Sequence, residues 1–143
     1  MSPLAPALAL LVACGMLIAV QATMNAALGR SLGLALFTVV FSALQLAASF
    51  PLLLGWPPRF ENFAAASWWQ YVGAALGVPI LVGIAFGIGR TGTFVAMMAL
   101  LVGQLAAGLL IDHQGWLGRP ANPVTWSKGL GLLLALSGVY LAR

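Results

Sequence analysis

The stretch from Leu8 to Leu28, LALLVACGMLIAVQATMNAAL, decides the class of this protein. Residues 8–20 carry nothing more polar than a cysteine and a glycine, yet Gln21 and Asn25 follow before the apolar character ends. Residues four apart share one face of a helix, and the helical rise separates these two amides by about 6 Å along its axis. An unpartnered amide costs several kcal/mol in hydrocarbon, so the pair should face protein or a water-filled cavity. We interpret this face as one wall of a pathway.

The composition indicates that the whole chain belongs to a membrane. Its 143 residues are 62% hydrophobic and 6% charged, with a mean hydropathy of +1.06, whereas a soluble domain carries about 25% charged residues. A helical span takes about 20 residues, so about five spans use most of the chain. The net charge of +4 comes from basic residues spread singly, which does not favour nucleic acid as a partner. The sequence therefore predicts an all-α, polytopic membrane protein with a single integral membrane domain.

Five apolar segments, separated by turn-forming residues, fit this count. The stretches 29–33 and 87–92 are rich in glycine and predict two short turns, and residues 56–62, with two prolines and Glu61, predict an exposed loop. The polar stretch 112–125 predicts another loop. The predicted spans are residues 4–27, 34–54, 68–88, 93–111 and 124–142.

Three local signals refine these boundaries. Ser67 and Gln70 have the spacing of a capping box, which starts the third span. Pro79 removes a backbone hydrogen bond and predicts a kink within that span. Asn122 followed by Pro123 predicts the start of the fifth span as a cap and a first-turn proline.

Catalytic and cofactor motifs have no support in this sequence. The stretch Gly87–Gly92 matches the G-x-G-x-x-G dinucleotide pattern by letter, but that pattern requires a preceding strand, and apolar spans flank it here. Cys14 is the single cysteine, and no second metal-binding side chain is well spaced from His113. We expect no metal, no cofactor and no enzymatic activity.

Polar residues inside the spans are the candidate functional groups. In the second span, Thr38, Ser42, Gln45 and Ser49 follow steps of four, three and four and so make one stripe. Serine and threonine can bond the carbonyl four residues back, but Gln45 cannot be satisfied so locally, which favours a cavity-facing surface. With Gln104 of the fourth span added, the predicted substrate-pathway residues are Gln21, Asn25, Ser42, Gln45 and Gln104.

Asp112 follows Gln104 and Gly108 at steps of four residues, so it continues one helix face to the end of the fourth span. A carboxylate at a helix C-terminus opposes the macrodipole, so we expect either a structural or coupling role with a cationic partner, Arg119 or Lys128, or an ordinary solvated loop aspartate. In the fifth span, Gly131 and Gly138 lie seven apart on one face, which favours a helix–helix contact between two copies of the chain.

The chain resembles the bacterial YdcZ-like family of the drug/metabolite transporter superfamily. The residues that carry this resemblance are Gln21-x-x-x-Asn25, the apolar hairpin after Trp68-Trp69, Gly103-Gln104-Leu105, Ile111-Asp112-His113-x-Gly115 and the closing segment 129–139. The resemblance implies a five-span half-unit in the bacterial inner membrane that works as a dimer. The last helix is also similar to the dimerising helix of the small multidrug resistance proteins. Those proteins exchange protons through a glutamate in helix one, whereas residues 12–18 here hold no ionisable group except Cys14.

Two classes of function remain open. The first is a transporter of a small polar solute, in which the uncharged amides replace water around the substrate. The second is a non-transporting membrane component, or a narrow ion channel, in which the same amides only hold helices together. Interhelical hydrogen bonds contribute about 0.6–2 kcal/mol each, which is enough for the amides to hold helices together, so both classes of function stay open.

The basic residues predict an antiparallel, dual-topology homodimer. If all five segments span, Arg59, Arg119 and Lys128 lie on one side, and Arg30, Arg90 and Arg143 lie on the other. Orientation follows the excess of lysine and arginine in short loops, and three against three gives no bias. All the tryptophans lie on the first side, so only an antiparallel pair places indoles at both interfaces: Trp56, Trp68, Trp69, Trp116 and Trp126.

Overall fold

A computed structural model describes residues 4–55 and 66–142 of the chain. Within these ranges every regular element is a helix: α1 (Leu4–Leu32), α2 (Leu34–Ser49), α3 (Leu52–Gly55), α4 (Trp68–Ala75), α5 (Gly77–Thr91), α6 (Thr93–Gln114) and α7 (Trp126–Ala142). The chain divides into two compact units, Met1–Gly89 and Arg90–Arg143. In the first unit α1 packs on α2, and in the second α6 packs on α7.

Four helical segments are long and apolar enough to cross a membrane: Pro6–Leu32, Leu34–Gly55, Trp68–Thr91 and Thr93–Gln114. No more than 11% of the residues in the apolar window of any of them are buried. A water-soluble monomer does not expose so much apolar surface, so lipid covers it in this multi-pass protein. The fifth helix, α7, is also apolar but has 17 residues. Its length of about 26 Å is at the lower limit for a span. The predicted all-α membrane fold is confirmed, while complete spanning by α7 stays a prediction.

Two of the interhelical turns consist of one glycine each. Gly33 (φ +77°) separates α1 from α2, and Gly92 (φ +79°) separates α5 from α6. Both residues combine this φ with an extended ψ, a region that only glycine occupies readily. The turns are therefore shorter than the sequence predicted, because helix α1 continues to Leu32 instead of ending near Ala27. The stretch Gly87–Gly92, which matches the dinucleotide pattern by letter, lies mainly within helix α5 and does not form a loop after a strand.

Prolines interrupt two of the membrane-crossing segments. Pro51 lies between α2 and α3, where turns of the tighter i to i+3 type replace the regular ladder: the amide of Leu53 donates to the carbonyl of Phe50 at 3.1 Å. Pro79 cannot donate to the carbonyl of Ala75, and the helix is broken at Leu76. The third span is thus interrupted at Leu76, close to the proline, while the predicted kink stays a prediction.

The loop between α6 and α7 closes against the end of α6. Gly115 (φ +67°) ends the helix, and the amide of Trp116 donates to the carbonyl of Ile111 at 3.0 Å. The prediction that Asn122 and Pro123 start the last helix is wrong. Helix α7 begins at Trp126 because the Thr125 hydroxyl accepts a hydrogen bond from the amide of Lys128 at 3.4 Å, as an N-cap residue does.

Helix α4 begins where the sequence predicted. The amide of Ser67 donates to Oε1 of Gln70 at 3.0 Å, and Trp68 is the first helical residue. The capping-box spacing is thereby confirmed.

Candidate functional site: a groove between α1 and α2

One fully buried aromatic side chain holds α1 against α2 near their turn. Phe37 of α2 has an exposed fraction of 0%. A Cβ atom at Gly29 of α1 would lie 3.5 Å from its ring, so the absence of a side chain at Gly29 makes room for the aromatic group. The ring of Phe41 lies 6.0 Å from that of Phe37 in a tilted arrangement. This cluster fixes the two helices beside each other at the turn end.

Farther from the turn, the same two helices border an open groove of about 790 Å³. Three carboxamide side chains line it, namely Gln21 and Asn25 from α1 and Gln45 from α2. The other lining residues are apolar or carry a thiol: Cys14, Leu17, Ile18, Val20, Met24, Phe41, Leu44 and Ala48. The groove therefore combines a large apolar surface with a small set of uncharged hydrogen-bonding groups, which is the usual make-up of a small-molecule site.

The position of the single-residue turn explains why amides of two helices meet. Gln21 lies twelve residues before Gly33, and Gln45 lies twelve residues after it. At the helical rise both are about 18 Å from the turn, so they stand level in a packed helix pair. Asn25 and Phe41 are likewise each eight residues from Gly33. This symmetry was the signal in the sequence that could have paired Gln45 with the α1 amides.

None of the three carboxamides has a hydrogen-bond partner among residues 4–55 and 66–142. Two hydroxyl side chains of α2 are instead satisfied within their own helix. The hydroxyl of Thr38 donates to the carbonyl of Leu34 at 2.7 Å, and that of Ser49 donates to the carbonyl of Leu46 at 2.8 Å. In the predicted polar stripe of α2, the hydroxyls of Thr38 and Ser49 are therefore satisfied within the helix, whereas the amide of Gln45 is not.

The groove gathers three of the five predicted pathway residues. Ser42 is exposed on α2 and is not among the residues that line the groove. Gln104 is exposed on α6 and belongs to the second compact unit. Their predicted roles in the pathway stay predictions.

The Asp112 side chain forms no ion pair or hydrogen bond with any residue in the described part of the chain. The ammonium group of Lys128, one of the two predicted partners, instead donates to the carbonyl of Pro123 at 3.4 Å. The contact at this position is made by the backbone, because the carbonyl of Asp112 accepts from the amide of Asn122 at 2.6 Å. Asp112 therefore helps to close the loop through its backbone, and the residue is partly buried.

The two glycines predicted to form a dimer contact lie in different surroundings. A Cβ atom at Gly138 would stand 2.9 Å from Cε of Met98, so this glycine is used within the chain, between α7 and α6. Gly131 has nothing within 4 Å of its Cβ position. It borders a smaller groove of about 280 Å³ together with Lys128, Leu105, Leu109 and Leu132. Of the two, Gly131 has the free surface that a second copy needs.

A comparison with known families adds to this geometry. The sequence pattern of the family described as "Putative inner membrane exporter, YdcZ" matches residues 6–141. The chain belongs to this family. The match covers all of the membrane-crossing segments and confirms the resemblance drawn from the polar motifs. A YdcZ-family chain is a multi-pass protein of the inner membrane, in a family described as exporters. No curated protein matches the chain, and no solved structure does.

Proposed function

We propose that this chain moves a small polar solute across the inner membrane along the groove between α1 and α2, and that it works as an antiparallel homodimer. The observation that carries the proposal is the set of three unpartnered carboxamides, Gln21, Asn25 and Gln45, in one groove. An amide left without a partner in hydrocarbon costs several kcal/mol. Water and then solute supply the missing hydrogen bonds in a transport pathway, which accounts for the presence of amides in these apolar helices.

The alternative, in which the amides only hold helices together, has less support from the single chain. An adhesive amide needs a partner on a neighbouring helix, and within the described residues these three have none. A second chain that covers the groove is the remaining way for them to act as an adhesive. Access of water to the groove separates this case from transport, because an adhesive contact between two chains excludes water.

Cys14 is a natural reporter of that access, because it lines the groove and is the only cysteine of the chain. Maleimides react with the thiolate, which forms only where water reaches the sulfur.

In membrane vesicles we expect N-ethylmaleimide to label Cys14. The matched control replaces Cys14 by alanine and introduces Met16→Cys. Met16 is 62% exposed at nearly the same depth, about 200° around α1 from Cys14. A lipid-facing thiol at this position should stay unlabelled. Equal labelling at the two positions, or none at Cys14, would contradict a water-filled groove.

The antiparallel arrangement rests on the balance of basic residues and on the aromatic side chains. Trp68, Trp116 and Trp126 are 76%, 56% and 88% exposed, as residues anchored at a membrane interface are. Arg59 lies outside the described residues, in the loop that should appear on both sides of the membrane. In a Cys14-free background, we expect an impermeant thiol reagent to label Arg59→Cys from both sides. Two lysines added to a single loop should restrict labelling to one side. Labelling of Arg59→Cys from one side only would overturn dual topology.

A further inference from the structure

The polar groups of the α1–α2 groove carry no charge. A carboxamide both donates and accepts hydrogen bonds, and Gln21, Asn25 and Gln45 supply three of them. Among the described residues that line the groove there is no aspartate, glutamate, lysine, arginine or histidine. An ion that left water for this site would find no opposite charge, and burial of an unpaired charge is strongly unfavourable. The groove therefore selects against cations and anions alike.

The remaining walls are apolar and adaptable. Leu17, Met24, Phe41 and Leu44 offer aliphatic, thioether and aromatic surface. Methionine adjusts to irregular shapes, and a phenylalanine ring stacks favourably against another ring. A solute that consisted only of polar groups would leave most of this surface in contact with water. An apolar body on the solute would cover it.

The volume is consistent with a solute of that kind. Pockets for drug-sized molecules measure about 300–1,000 Å³, and this groove of about 790 Å³ falls within that range. The smallest polar solutes would occupy only part of it.

We infer that the groove binds an uncharged amphipathic solute, with an apolar body and a group that both donates and accepts hydrogen bonds. This inference rests on the proposed transport function and restricts its small polar solute to one that also carries an apolar body. Gln21 and Gln45, level with each other on the two helices, would hold the polar group, while the apolar body lies along Phe41 and Leu44.

Four small probes test the inference by their effect on alkylation of Cys14 with N-ethylmaleimide in proteoliposomes. Benzamide, benzoate and benzylammonium share one ring and differ in charge, whereas acetamide has the polar group of benzamide without its apolar body. Benzamide should slow the reaction, by about threefold at a concentration of twice its Kd. Benzoate, benzylammonium and acetamide should leave the rate unchanged at the same concentration.

Two variants guard against non-specific effects of the probes. In Gln45→Leu the protection by benzamide should disappear, whereas an effect of benzamide dissolved in the bilayer would persist. Gln45→Glu places a carboxylate in the groove, and benzylammonium should now protect Cys14. If Gln45→Glu fails to fold, Gln21→Glu serves the same purpose. Protection of the native chain by either charged probe, or equal protection by acetamide and benzamide, would overturn the inference while leaving a water-filled pathway intact. Absence of Cys14 labelling without any probe would overturn the proposed pathway itself, and the inference with it.

Discussion

Helices α1 and α2 meet around a fully buried aromatic ring, whereas α6 and α7 meet where the flexible end of a methionine lies against a glycine. In the first pair Phe37 is completely buried beside Gly29. In the second pair Gly138 stands against the end of Met98. The small groove between α6 and α7 is lined by leucines, Gly131 and Lys128, while the larger one between α1 and α2 contains three free amides.

The difference separates two uses of close helix packing. The aromatic contact lies four residues from the Gly33 turn and fixes one end of the α1–α2 pair, so the polar groove at the other end needs no hydrogen bond to keep the helices together. The glycine contact instead joins α6 and α7 far along α7, about 18 Å from Trp126 by helical rise. Stability should therefore depend on Phe37 and Gly138, and solute specificity on the amides.

The largest expected effect is that of Phe37→Ala. Truncation of a fully buried phenylalanine costs about 3–5 kcal/mol of folding stability. We expect a sharp fall in the melting temperature in detergent, because the contact that holds α1 to α2 is lost. The matched control is Phe50→Ala, since Phe50 is 66% exposed in the same unit. Similar melting temperatures for the two variants would show that the ring of Phe37 does not hold the pair.

A smaller effect is expected for Gly138→Ile. The new side chain would collide with Met98, and overpacking of this kind costs about 1–3 kcal/mol. Gly138→Ala should cost less, because only the flexible end of Met98 has to move. The measurement is thermal melting in detergent together with size-exclusion chromatography and light scattering.

Gly131→Ile is the control for Gly138→Ile, since open space surrounds the Cβ position of Gly131. It should leave the melting of the single chain unchanged. If α7 forms the dimer contact, this variant should shift the oligomer towards monomer. An unchanged oligomer in both isoleucine variants would remove the α7 contact between copies.

The smallest effect on stability is expected for Gln21→Leu and Gln45→Leu. Their amides have no partners among the described residues, so folding stability should change by no more than about 0.5 kcal/mol. Solute flux into proteoliposomes, measured once a substrate is known, should fall about tenfold for a loss of about 1.4 kcal/mol in binding. A large drop in melting temperature with normal flux would assign these amides to helix adhesion.

The sequence predicted the features that depend on local chemistry. The lengths of the apolar stretches predicted the membrane-crossing segments, and the spacing of Ser67 and Gln70 predicted the start of α4. The contact of Gly138 with Met98 was not predictable, because a small residue shows that a backbone can approach and not which helix approaches it. The cap at Thr125 was missed because Asn122 and Pro123 form a stronger motif that lies in the loop. That Gln45 lies level with Gln21 could be predicted only if Gly33 was already known to be the single turn residue.

The single-glycine turns also bear on how the chain enters the bilayer. The carbonyl of Gly33 accepts from the amide of Phe37 at 3.0 Å, and that of Gly92 accepts from the amide of Ala96 at 3.2 Å, so both turns feed directly into the next helical ladder. A one-residue turn adds only one residue of non-helical backbone to the helix ends that must cross hydrocarbon, where each unpaired peptide group costs several kcal/mol. The α1–α2 pair, whose helices pack on each other, can then insert as one preformed hairpin. The charge of the neighbouring arginine, Arg30 or Arg90, remains as the main barrier to crossing.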